Sequence, residues 1–153
     1  MFALWFLALA LSLPLQATGV SAFPEGVLSP DEKIRLEKES KIENRIKVYE
    51  KASTRIYSTI QAAISKNQFQ SVPGDLELWT ALLDASLKDI EANLKSKKKS
   101  RALIKYEIQV RKAMVAIQDS KIRAPIEQQD VFDSCLARAA AVHKRLVEIL
   151  FPN

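Results

Sequence analysis

The sequence predicts an all-α protein: an antiparallel up-down bundle of four helices. Two observations carry that expectation. Only 3 Gly and 6 Pro occur in 153 residues, and most of them fall outside four long stretches rich in Ala, Leu, Ile, Lys, Glu, Gln and Ser, a composition that favours helices and starves an all-β fold of turns. Within those stretches apolar residues recur at steps of three and four, as on a helix with one buried face.

The first 22 residues read as an export signal. Phe2 to Leu13 is an apolar, uncharged run, Pro14 breaks it, and Val20-Ser21-Ala22 supplies the small residues of a cleavage site. About 12 apolar residues are too few to span a bilayer, which takes roughly 20. No Lys or Arg precedes the run, a departure from the usual signal, and no Cys stands at the cleavage site to carry a lipid. An uncleaved anchor is the alternative. The remaining 131 residues suffice for one core. A lone Cys135 excludes an internal disulfide framework, so the composition fits a bacterial-type periplasmic or extracellular protein held together by packing.

Residues 23–30 form an extended leader, and residues 31–153 a single helical-bundle domain. Ser29 or Asp31 caps a first helix reaching about Lys66, with Asp31 and Glu32 in its first turn. Its stripe is Ile42, Ile46, Tyr49, Ile56, Ile60 and Ala63, with Ser53 in the polar slot, close to a heptad seam. Acid-before-base pairs four apart (Asp31–Arg35, Glu37–Lys41, Glu43–Lys47) add a few tenths of a kcal/mol each. Before Ile42 the helix is mostly polar and is expected to project beyond the core or to fray. Pro73-Gly74 marks a turn. Asp75 then caps a second helix with Leu76, Trp79, Leu83, Leu87, Ile90 and Leu94 on its inner face.

Lys95 to Arg101 (KSKKKSR) lacks any apolar residue and reads as the next turn. Since it also lacks Gly and Pro, the alternative is one continuous helix over 75–123 and three helices in all. The third helix, near Ser100 to Arg123, buries Leu103, Tyr106, Val110, Ala113, Met114 and Ile117. Ala124-Pro125 ends it, and Pro125 starts a fourth running to about Leu150. That one carries Phe132, Cys135, Leu136, Ala139, Val142, His143, Leu146, Val147 and Leu150 inward. Short connections make consecutive helices antiparallel neighbours.

The densest functional signal is basic. Lys95 to Lys112 holds eight bases against one acid, Glu107, a net +7, so the rest of the chain nets −2 of the overall +5. Lys95, Lys97, Lys98, Lys99, Arg101 and Lys105 are the candidate contacts for an anionic protein or membrane surface. Nucleic acid is disfavoured, because no zinc spacing, helix-turn-helix signature or interleaved aromatics accompany the charge. The competing view is a lysine-rich solvated turn.

No catalytic residues, metal ligands or cofactor are expected. His143 is the sole histidine and has no nucleophile motif beside it; Cys135 sits on a core face; Met114 and His143 are offset along the bundle by roughly 6 to 14 Å at 1.5 Å per residue, too far for opposite haem ligands. The carboxylates of helices one and two fall off the apolar stripes, and the Glu-x-x-His pairs of di-metal bundles are missing. The sequence therefore points to an exported bundle that acts by binding or assembly. The alternative is a cofactor- or ligand-carrying or enzymatic bundle with an internal site. The seam of the first helix offers a third route, pairing with a second copy as a coiled coil.

Overall fold

The structure, a computed structural model, describes residues 23–95 and 100–152. The expected signal over 1–22 and the candidate residues Lys97, Lys98 and Lys99 lie outside the described residues. Five α-helices and no strand occur among the described residues: α1 Pro30–Lys38, α2 Ile42–Ser65, α3 Val72–Asn93, α4 Arg101–Lys121 and α5 Gln129–Leu150, with a 3-10 turn at Ile126–Gln128. Helices α2 to α5 form the expected bundle.

The expected first helix is two helices. α1 starts with a capping box: the Glu32 amide donates to Ser29 Oγ at 3.3 Å, and the Ser29 amide donates to Glu32 Oε2 at 2.7 Å. It stops at Lys38, and Glu39 and Lys41 take extended conformations. No glycine or proline is needed for the break, because side chains satisfy the freed backbone. Arg45 donates to the carbonyls of Leu36 at 2.8 Å and Glu39 at 3.4 Å, while Glu39 accepts from the Lys41 amide at 3.0 Å. The Glu37–Lys41 pair is thereby split between helices, and neither Asp31–Arg35 nor Glu43–Lys47 forms an ion pair.

Nor does α1 project into solvent. It lies on α2, with Leu36 only 2 % exposed. The leader is folded too. Val27 and Leu28 are buried, Gly26 turns the chain at φ +85°, which a side chain would strain, and the Phe23 ring packs on Tyr49 with centroids 5.9 Å apart. Arg55 pins both pieces, donating to the Val27 carbonyl at 2.9 Å and pairing with Glu32 at 2.7 Å. Burial alone would raise the Glu32 carboxyl, but Arg55 and the Ser29 amide together hold it below the ordinary range. Leu36→Ala is accordingly expected to cost about 2–5 kcal/mol in urea unfolding, the range for a truncated core leucine. A change within about 0.5 kcal/mol, as on an exposed helix, would mean that α1 does not dock.

Pro73-Gly74 lies inside the first turn of α3 rather than before it. Proline fits there because its missing N–H has no intrahelical acceptor to lose, and the helix begins at Val72, with the Asp75 amide already bonded to the Ser71 carbonyl at 3.1 Å. At the other end Leu94 is extended, and Ser100 is extended and caps α4 by accepting from the Leu103 amide at 3.3 Å. A continuous helix over 75–123 is thereby excluded. α4 ends at Lys121, where the Arg123 and Ala124 amides bond three residues back, and Pro125 leads into the 3-10 turn rather than starting α5.

Each helix of the bundle has two flanking neighbours. α2 adjoins α3 and α4, and α5 adjoins the same two, so α3 and α4 face each other across the diagonal. Consecutive helices are antiparallel as expected, but α3 and α4 are not side-by-side neighbours. Residues 94–100 can extend to about 23 Å, more than the roughly 14 Å diagonal of helices about 10 Å apart. One consequence shapes the surface: the α2/α4 and α3/α5 pairs run parallel. The predicted stripes fill the centre, with Trp79, Tyr49, Tyr106 and Phe132 its largest fully buried side chains. The α2 seam is consumed here: Ile46, Tyr49, Ile56 and Ile60 are all buried. It is not available for coiled-coil pairing with a second copy.

Candidate functional site

The parallel pairing of α2 and α4 leaves a groove between them. On α2, Lys47, Glu50, Lys51, Thr54 and Tyr57 recur once or twice per turn along one side of the core stripe. On α4, Arg101, Ala102, Lys105, Ile108, Gln109, Lys112 and Ala113 do the same. These residues line two adjoining cavities of about 400 Å³ and 560 Å³, which share Glu50, Thr54 and Lys105. The floor is Ala102 and Ala113, both buried, with half-buried Tyr57 and Ile108. Small side chains on α4 are what keep the trough open.

Five exposed cations stand along its walls (Lys47, Lys51, Arg101, Lys105 and Lys112) against one acid, Glu50. Lys51, Arg101, Lys105 and Lys112 have no hydrogen-bond or ion-pair partner among the described residues, and Lys47 bonds only to Asn44 Oδ1 at 3.1 Å. No acid occupies the first turn of α4, so Arg101 adds its charge to the positive end of that helix's dipole, an unfavourable placement unless an anion arrives.

The opposite pair, α3 and α5, is charged but neutralised. Arg138 bonds Glu77 at 2.8 Å and Asp84 at 2.7 Å, and Arg145 bonds Glu91 at 2.8 Å. Two parallel helix pairs thus carry opposite arrangements, one laced with ion pairs and one with its cations unpaired.

Of the candidate residues read from the sequence, Arg101 and Lys105 line the groove. Lys95 is exposed beyond the end of α3 and is not among the lining residues. The sequence reading missed Lys47, Lys51 and Lys112 as partners of these two. Lys112 belonged to the counted basic segment. Lys47 and Lys51 sit some 50 residues upstream on a helix that reads as a solvated face, and only the α2/α4 pairing brings them near.

The other chemical groups are occupied within the fold. His143 Nε2 lies 2.8 Å from Glu107 Oε1, which also accepts from Arg111 at 3.1 Å, so the one acid of the basic segment ties α4 to α5. Burial pushes the Cys135 thiol up to about 12, leaving it protonated and a poor nucleophile. Inside the bundle Trp79 Nε1 donates to Ser53 Oγ, which donates to Gln109 Oε1, each at 2.8 Å, and Ser86 and Tyr106 share a bond of 2.7 Å. These buried polar atoms satisfy one another. No group of three or more His, Cys, Asp or Glu suited to a metal occurs among the described residues, and no described helix is long and apolar enough to cross a membrane.

Fold and surface together define a class: a helical bundle with a cationic groove between two parallel helices and central polar side chains that bond one another. No family model, curated protein or solved structure matches the chain.

Proposed function

We propose that the protein acts by binding, taking an anionic partner in the α2/α4 groove, and that it does so outside the cytoplasm after export through residues 1–22. The observation that carries this reading is the contrast between the two parallel helix pairs. Cations that form no ion pair with an acid among the described residues cost self-repulsion and return nothing to the fold, whereas Arg138 and Arg145 pair with acids of α3 from their places on α5. The export part rests on the apolar run from Phe2 to Leu13 and the small residues before Phe23.

The reading is tested by two triple charge reversals that leave the protein with the same net charge. Lys51→Glu, Arg101→Glu and Lys105→Glu together are expected to weaken binding of a labelled polyglutamate at least tenfold, about 1.4 kcal/mol, and to flatten its salt dependence. A control with Lys33, Lys88 and Lys144, all exposed elsewhere, changed to Glu should keep most of the affinity. Equal losses in both triples, with helicity intact by circular dichroism, would reduce the groove to a share of the overall charge and overturn the proposal.

A further inference from the structure

The geometry points to one occupant for this groove: an acidic amphipathic helix of a partner protein, laid along α2 and α4 as a third helix. The inference rests on the binding reading above and adds the partner's chemistry. A phosphate polymer needs cations alone, and an apolar floor offers it nothing. This groove has both. Tyr57, Ile108, Ala102 and Ala113 form an apolar strip, and cations flank it on each side, Lys47 and Lys51 from α2, Arg101, Lys105 and Lys112 from α4. An apolar stripe between two acidic edges is the complement of that pattern, and amphipathic helices present it through anchors at i, i+3 or i+4, and i+7.

The dimensions agree. Ala102 to Ala113 spans about 16 Å of α4 at 1.5 Å per residue, three turns of a docked helix. Parallel neighbours with small residues at their seam leave the furrow that a third helix fills by ridge-into-groove packing. Glu50 lines both cavities, so an acid on the partner is disfavoured at the midpoint and favoured above and below it. That single carboxylate fixes the register in which the partner lies.

The experiment titrates the full protein with two labelled synthetic peptides of identical composition, one with its leucines on a single helical face between glutamates, the other scrambled to destroy that face. The amphipathic peptide is expected to bind at least tenfold more tightly. Ile108→Gln should erase that advantage while leaving the salt dependence unchanged, and the Lys51, Arg101, Lys105 triple reversal should abolish binding of both. Equal binding of the two peptides, lost in the triple variant, would overturn the helix inference and leave the anion-binding reading standing. Binding of inorganic polyphosphate with neither peptide bound would do the same. If neither peptide nor polyphosphate binds at low salt, both fall. A thermal melt of Ile108→Gln matching the parent ensures that lost binding is not lost fold.

Discussion

Replacing Trp79 by alanine is expected to remove about 3–5 kcal/mol of stability, the range for a large aromatic cut from a core. Domains of this kind are stable by only about 5–15 kcal/mol, so the loss is a large share of the total and the variant should unfold at markedly lower urea and temperature. Two effects combine. Trp79 is 0 % exposed, so truncation leaves a cavity about two turns into α3 that its neighbours can only partly close. It is also the donor at the head of a relay crossing three helices, Trp79 on α3 to Ser53 on α2 to Gln109 on α4. The two effects separate by substitution. Trp79→Phe keeps most of the volume and removes the donor, while Ser53→Ala keeps the indole and leaves its N–H buried without an acceptor, at about 1–3 kcal/mol. Urea unfolding by circular dichroism measures each, and the Trp79/Ser53 double-mutant cycle isolates the bond. A Ser53→Ala change below about 0.5 kcal/mol would mean that the relay adds nothing beyond packing.

Ser53 also shows where sequence reading stops. A polar residue in an otherwise apolar stripe is visible by its spacing, but its partners are on two other helices, 26 and 56 residues away, and no local pattern points to them. The stripes themselves were legible because periodicity is local. From Ile42 to Ala63, and again from Leu103 to Ile117, the residues placed inward are buried, with only Met114 at the edge. The helix ends were less so. α1 and α2 separate at Glu39 to Lys41 because Arg45, already committed to α2, satisfies the carbonyls that the break exposes. Buried Val27 and Leu28 sit among Pro and Gly, whose presence suggested a loop without revealing that the loop covers α2. The ring order of the bundle is the deepest omission. Residues 94–100 are long enough for either an adjacent or a diagonal placement of α4, and only the packed outcome makes α2 and α4 neighbours. The groove follows from that outcome, so Arg101, Lys105 and Lys112 were legible as part of a basic segment, while Lys47 and Lys51 read as an ordinary wet helix face.

Arg45→Ala is expected to be the most disruptive polar substitution, at about 2–4 kcal/mol, somewhat below the loss from breaking a fully buried pair. The guanidinium holds two things at once. Its Nε pairs with Asp89 at 2.7 Å, where the carboxylate side chain is only 9 % exposed, and its Nη1 donates to the carbonyls of Leu36 in α1 and of Glu39 just past its end. Tyr49 donates its hydroxyl to the same Asp89 oxygen. Burial first, and then the Asp89 carboxylate, push the Tyr49 phenol well above its ordinary range, so it is a neutral donor at physiological pH. Removing Arg45 therefore strands a mostly buried charge and uncaps α1 together. Asp89→Ala strands the arginine but leaves it free to cap, so it should lower global stability while α1 stays docked. Hydrogen exchange separates these outcomes: amides of 33–38 should lose protection in Arg45→Ala well before global unfolding, and keep it in Asp89→Ala until the whole bundle opens. Arg45→Lys should rescue less than half of the loss, because one ammonium group has no planar fork to reach α1 and α3 simultaneously. Full rescue by lysine would show that charge alone matters at this corner, and unchanged α1 protection in Arg45→Ala would show that Leu36 packing, not capping, holds the first helix in place.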